Sequence, residues 1–221
     1  MTEQEVFNII QEKIIEIQQV KKKVVRVGIN GVEGTGKTVF CKKITKYLID
    51  NGQKAIQITI DGYHNPKEIR YKQGRNSAIG YYEDAYNEKA FVDFVLKSSQ
   101  NEQPFYVEQI HNLETDELLN PIRKELSNQH ILLTDGAYLF KKNYKEHWDL
   151  KIYLQTDFNT ALERGIQRDL VLLGGLEATK DKYENRYHKA SKMYIKENKP
   201  TEIADIIIDN TNFENLQILK Q

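Results

Sequence analysis

Gly31-Val32-Glu33-Gly34-Thr35-Gly36-Lys37-Thr38 is a complete G-x-x-x-x-G-K-[ST] loop. It follows the β-branched run Val24-Val25-Arg26-Val27-Gly28-Ile29 and precedes Thr38 to Leu48, which has helical spacing. Each part of such a loop has a job. The glycines let the backbone curl until successive N–H groups point at one phosphate. Lys37 supplies a cation between the β- and γ-phosphates, and Thr38 offers a hydroxyl to Mg²⁺. The helix that opens there turns its positive end to the anion. Gly31, Glu33, Gly34, Thr35, Gly36, Lys37 and Thr38 are therefore the expected nucleoside-triphosphate contacts. A chance glycine turn is the alternative, and strand before plus helix after argue against it.

Further strands and helices alternate on both sides of the loop. Glu3 to Val20 carries Val6, Ile9, Ile10, Ile14 and Ile17 on one helical face. That helix either packs on its own domain or mediates a dimer. Ala55–Ile60, Ile131–Gly136, Leu150–Leu154 and Ala204–Ile208 read as strands. Phe158–Leu172, capped by Asp157, and Lys180–Glu197 read as helices. The spacing also predicts a strand over Phe105–Ile110 and a helix over Asp116–Leu126, interrupted near Pro121. The sum is a three-layer α/β fold with a mainly parallel sheet. The expected division is an N-terminal helix, 1–23, and one nucleotide-binding domain, 24–221, with a lid at about 164–185.

Composition narrows the class. The 221 residues hold 32 Lys+Arg against 32 Asp+Glu, so no global charge favours nucleic acid or a membrane surface as partner. Hydrophobic residues make up 39%, an ordinary globular balance. The longest apolar runs are too short to span a bilayer. Glu3, Glu5 and Glu12 do not suit a secretory signal, and the single cysteine, Cys41, forms no internal disulfide. A reducing cytoplasm is the expected compartment. The second half contains no N-K-x-D guanine-reading signature, and the length is small for a motor ATPase.

Asp61 ends the second strand, where open parallel sheets place their ligands. It is either a base that takes a hydroxyl proton during phosphoryl transfer or a turn residue in Asp-Gly. Asp135 ends the Ile131–Thr134 strand in the pattern of an acid that holds Mg²⁺, with a turn before Gly136 as the alternative. Arg164 and Arg168 lie one turn apart on one helix face. They suit a lid over transferring phosphates, or a solvated face with Arg168 paired to Glu163 or Asp169. Residues from Tyr63 to Asn87 show no clear period and combine arginines, tyrosines and acids, as a substrate loop would. Arg70 and Arg75 would serve an acceptor that already carries phosphate, and Asp84 would take the two hydroxyls of a ribose. His64 and His111 are isolated histidines, and Trp148 reads as packing.

These segments together resemble the uridine kinase-like branch of the phosphoribulokinase/uridine kinase/pantothenate kinase P-loop kinases. The resemblance rests on Ile29-Asn30-Gly31 with its loop, Ile60-Asp61-Gly62-Tyr63-His64, Arg70-Tyr71, Gly74-Arg75 and Gly80-Tyr81-Tyr82-Glu83-Asp84-Ala85-Tyr86. It continues through Leu132–Gly136, His147–Leu150, Arg164–Asp169, Arg186-Tyr187, Ala204-Asp205 and Asp209-Asn210. It implies a five-stranded parallel sheet, ATP·Mg²⁺ as donor and a small-molecule acceptor such as a nucleoside, uridine or cytidine first. It implies that Asp61 matches the catalytic aspartate, Arg164 and Arg168 the lid arginines, and Asp84 an acid on the acceptor's sugar. Tyr63, His64, Arg70, Arg75, Tyr82 and Asp84 form the expected acceptor set. The chain departs from uridine-cytidine kinases proper after the Asp135 strand, where Asp135-Gly136-Ala137 replaces a glutamate turn. It departs again at Arg70–Tyr86, and at Leu173-Gly174-Gly175, which replaces further arginines.

Overall fold

A computed structural model describes all 221 residues. Helix α1 (Glu3–Lys21) starts with a capping box between Thr2 and Glu5 and ends where Lys22 turns left-handed. Strand β1 (Val25–Asn30) runs into the loop and helix α2 (Lys37–Asp50), and β2 (Lys54–Thr59) follows. Ile60–Tyr63 is a single 3₁₀ turn. The non-periodic segment forms short helices α3 (Lys67–Arg70), α4 (Ala78–Asp84) and α5 (Glu88–Phe91), the last running on as a π-helical stretch to Lys97.

The middle of the chain corrects the sequence reading. Asp116–Leu126 is not helical. Strand β3 (Phe105–Val107) pairs antiparallel with β6 (Arg123–Glu125), and β4 (His111–Asn112) with β5 (Glu117–Leu118). The expected strand over Phe105–Ile110 therefore ends at Val107. Asp116 sits at φ 64°, a left-handed turn that a helix start does not tolerate, and its carboxylate is held by Arg70 and His111.

Strands β7 (His130–Gly136) and β8 (Leu150–Gln155) complete the sheet centre. Helices α6 (Phe158–Asp169), α7 (Leu176–Lys182) and α8 (His188–Asn198) then lead through α9 (Pro200–Ile203) to β9 (Ile206–Asp209) and β10 (Gln217–Lys220). The Asp157 carboxylate caps α6 by accepting from Asn159 and Thr160. The sheet order is β10-β9-β8-β1-β7-β2. Five strands are parallel as expected, and β10 adds a sixth, antiparallel to β9.

Alternation along each central strand feeds two cores. Val25, Val27 and Ile29, with Ile131 and Leu133, face α1 and α2, where they meet Ile10, Ile14, Phe40 and Ile44. Leu132 and Tyr153 face the opposite layer, with Tyr63, Phe91, Tyr138 and Trp148. Both faces are covered, as parallel strands require. Ile10 and Ile14 are fully buried, so α1 packs on its own sheet.

Candidate active site

Parallel register carries the functional residues to one edge. Ile29 lies beside Asp135, and Thr59 beside Asp135 from the other side. The C-terminal ends of β1, β7 and β2 therefore deliver the glycine loop, Asp135 and Asp61 to one place. They line a cavity of about 610 Å³ with Glu33, Gly34, Gly36, Lys37, Thr38, Tyr86, Arg164, Arg168 and Phe213.

The loop has the shape of a phosphate cradle. Gly34 and Gly36 take φ of 86° and 94°, and a Cβ on Gly34 would stand 2.0 Å from the Ala161 carbonyl oxygen. From the far end of the sheet, Asn210 donates to the Thr35 carbonyl at 2.7 Å and so fixes the loop. Lys37 is buried, and its Nζ donates to the Val32 carbonyl at 3.0 Å with the Glu33 carboxylate at 3.9 Å. Burial alone would raise the Glu33 carboxyl. The Lys37 ammonium and the donating Tyr81 hydroxyl outweigh burial and hold it below the usual carboxylate range.

The Thr38 hydroxyl donates to Asp135 at 2.6 Å, and the Gln57 amide donates to the other Asp135 oxygen at 2.8 Å. Burial, with Asp61 nearby, raises the Asp135 carboxyl above its ordinary value. A hydroxyl and one carboxylate beside a phosphate cradle are hard oxygen donors that fit Mg²⁺.

Asp61 is exposed in the cavity wall, and its carboxylate accepts from the Tyr86 hydroxyl at 3.2 Å. Burial, then the Asp61 charge, pushes the Tyr86 phenol well above its usual pKa, so it stays a donor. A second cavity of about 550 Å³ shares Thr38 and Asp61 and extends to Gln109 and to Asn112 of β4. From α6, both expected arginines reach the first cavity. Arg164 donates to the carbonyls of Asn210 and Thr211 at 2.9 and 2.8 Å and stacks 3.6 Å over the Phe213 ring. Arg168 is paired with Asp169 through Nε at 2.8 Å, one of the two pairings expected for it on a solvated face.

The expected acceptor set divides. His64 lies beside the site: its Nδ1 meets the Asp61 carbonyl at 2.9 Å and its ring packs 4.5 Å from Tyr86. Two tyrosines must be reassigned. Tyr63 is fully buried and donates to the Val107 carbonyl at 2.7 Å, which makes it core. Tyr82 is buried, and its hydroxyl bridges Glu197 and Asn198 of α8 at 2.8 Å each. Asp84 is buried against Lys72 and Gln73, both at 2.7 Å. Arg70 is buried with one nitrogen on Asp116 at 2.9 Å, whereas Arg75 is exposed. Tyr86, Gln57 and Phe213 join the site without having been singled out. Tyr86 stood inside a quoted motif; a lone Gln on a strand and a Phe beyond the last parallel strand carry no signal of their own. Trp148 is packing as expected, its indole donating to the Leu139 carbonyl at 2.7 Å.

Comparison with known proteins agrees with this geometry. Residues 26–216 match the model of the Phosphoribulokinase / Uridine kinase family. Uridine-cytidine kinase B of Dictyostelium discoideum is 30% identical over 192 residues, which is 82% of this chain and 73% of that protein. Among solved structures, the Bacillus stearothermophilus "Possible Uridine Kinase" superposes with a TM-score of 0.65 at 18% identity, covering 90% of this chain and 98% of its own. D-glycerate 3-kinase from Cryptococcus neoformans superposes with a TM-score of 0.63 at 9% identity, covering 98% and 99%. No helix is long and apolar enough to cross a membrane. With the loop, both strand-end aspartates and the matched length in agreement, this chain belongs to the phosphoribulokinase/uridine kinase family of P-loop kinases.

Proposed function

We propose that this enzyme transfers the γ-phosphoryl group of ATP to a hydroxyl of a small acceptor, with Asp61 as the general base. The observation that carries the reading is the convergence of Lys37, Thr38, Asp135, Asp61, Arg164 and Arg168 on one cavity. A protein that only bound nucleotide would have no use for an exposed carboxylate in the same cavity as the cradle. Asp61 accepts the acceptor's hydroxyl proton as the acceptor oxygen bonds to the γ-phosphorus. The bond from that phosphorus to the β–γ bridging oxygen breaks, and its electron pair leaves with ADP. Lys37 and the two arginines hold the charge on the moving group, and Tyr86 orients Asp61. Thr38 and Asp135 would hold Mg²⁺, which when bound neutralises phosphate charge.

Two readings of the acceptor differ. Uridine or cytidine is suggested by the Dictyostelium relative's name. An anion-bearing alcohol is favoured by a specific observation: Asp84 and Tyr82, expected in the acceptor set, are engaged elsewhere, while Arg70, Arg75 and Arg186 gather around Tyr71. The cytoplasm and a small-molecule partner accord with either. Asp61→Asn tests the mechanism with any acceptor the wild type uses. Turnover should fall by about a hundred- to ten-thousand-fold, while Mg·ATP affinity stays within a few-fold. Full turnover in that variant would remove Asp61 from the role.

A further inference from the structure

Tyr71, between α3 and α4, is surrounded by like charges. The guanidinium carbons of Arg70, Arg75 and Arg186 lie 5.3, 5.8 and 5.2 Å from its ring centre. Lys182, one helical turn before Arg186, adds a fourth cation near Tyr187. Arg70 and Arg75 come from the acceptor loop, Lys182 and Arg186 from the lid side, so two separate segments bring their cations together.

The accompanying acids do not balance them. Asp116 neutralises Arg70 through one nitrogen, yet the buried Arg70 Nε has no partner. Arg186 is only 4% exposed, pairs with no carboxylate, and its Nε also lacks a partner. It is boxed instead by the faces of Tyr71, Tyr81 and Tyr187, at 4.8 to 5.7 Å. Ring faces soften the cost of burying a guanidinium but satisfy none of its five donors. A buried charge without a counter-ion is expensive, and fixed arginines meet oxyanions bidentately. The field is also visible on its neighbours. Burial opposes ionisation of the Tyr71 phenol, but Arg70, Arg186 and Lys182 outweigh it and lower its pKa. Burial, then Arg186, Arg75 and Arg70, lowers the Lys182 pKa.

The cluster is one tyrosine away from the phosphate loop. Tyr81, under Arg186, donates to Glu33 at 2.8 Å, and Glu33 stands 3.9 Å from Lys37. Arg70 acts on His64, which packs on Tyr86, the partner of Asp61. The donor's own phosphates have a separate cation set in Lys37, Arg164 and Arg168.

We infer that Arg186, with Lys182, Arg70 and Arg75, binds an oxyanion carried by the acceptor, so that the substrate is a small hydroxyl compound bearing a carboxylate or phosphate. This rests on the kinase reading above and names its acceptor class. The anion neutralises the lid side and the acceptor loop together, where Arg186 already packs against Tyr71, and the hydroxyl end of the molecule is directed to Asp61.

Matched acceptor pairs test it: glycerate with glycerol, ribose 5-phosphate with ribose, pantothenate with panthenol, and uridine and cytidine as uncharged nucleosides. ADP release is followed with Mg·ATP in wild type, Arg186→Gln and Lys182→Ala. Calorimetry then follows inorganic phosphate binding to protein whose loop is filled by the β,γ-imido analogue of ATP. Thermal melts check that the variants fold, and Lys182→Ala, at a half-buried side chain, serves if Arg186→Gln does not. The expected result is turnover only of charged members, with glycerate and ribose 5-phosphate separating carboxylate from phosphate. Arg186→Gln should raise the acceptor KM about tenfold or more, leave the ATP KM unchanged and abolish phosphate binding; Lys182→Ala should do the same more weakly. Turnover of uridine or glycerol with an acceptor KM untouched by either variant would overturn the anion site and leave the kinase reading intact. Arg186-dependent phosphate binding with no acceptor turned over would keep the anion site and sink the kinase reading.

Discussion

Gly34 shows how tightly single residues hold the cradle. Its φ of 86° belongs to the left-handed region, and the Ala161 carbonyl fills the place of any side chain. Gly34→Ala therefore meets backbone strain and backbone overlap together, at a cost of at least about 1–3 kcal/mol. A thermal melt should show the loss, and Mg·ATP should no longer raise the melting temperature. At this scale the donor side was legible, because a phosphate loop needs its glycines, lysine and threonine contiguous in sequence. Asp61 and Asp135 were legible as strand-end acids. The acceptor side was legible only as a cluster: nothing in Tyr63, Tyr82 or Asp84 announces that their polar atoms would be spent on Val107, on Glu197 with Asn198, and on Lys72 with Gln73.

Among elements, the join of β1, β8 and α1 depends on Asp149. Its carboxylate accepts from the Arg26 backbone and guanidinium and from Lys21 at 2.5 to 3.1 Å. Burial would raise this carboxyl, but Arg26 and Lys21 overcome it and hold it below the ordinary aspartate range. A carboxyl with a depressed folded-state pKa adds stability above its unfolded value, about 3.9, and that stability is lost as pH falls through the folded value. Asp149→Asn should cost about 3–5 kcal/mol near neutrality, and chemical denaturation should show the gap to wild type closing below about pH 4. A gap independent of pH would argue that shape, not charge, matters there. The parallel strands were readable from β-branched runs. The β4–β5 and β3–β6 pairs were not, since strands of two or three residues leave no period. Strand β10 leaves no hydrophobic period because Gln217–Lys220 is a largely exposed edge strand paired to β9.

The whole molecule is neutral in sum and polarised in arrangement. Lys37, Arg164 and Arg168 face the donor cavity, and Arg70, Arg75, Lys182 and Arg186 gather around Tyr71. Counting charges along the sequence hides this, because these cations come together only when the lid side and the acceptor loop meet over the sheet edge. The same topology underlies the proposed transfer, in which one cation set holds the donor's phosphates, the other the acceptor's anion, and Asp61 takes the hydroxyl proton. The most direct measurement is acceptor-dependent ADP release from Mg·ATP across nucleosides, sugar phosphates and hydroxy acids, with the product identified by mass. Release with at least one acceptor is expected, and that acceptor heavier by one phosphoryl group. Bound ATP with no phosphorylated product from any acceptor would contradict it.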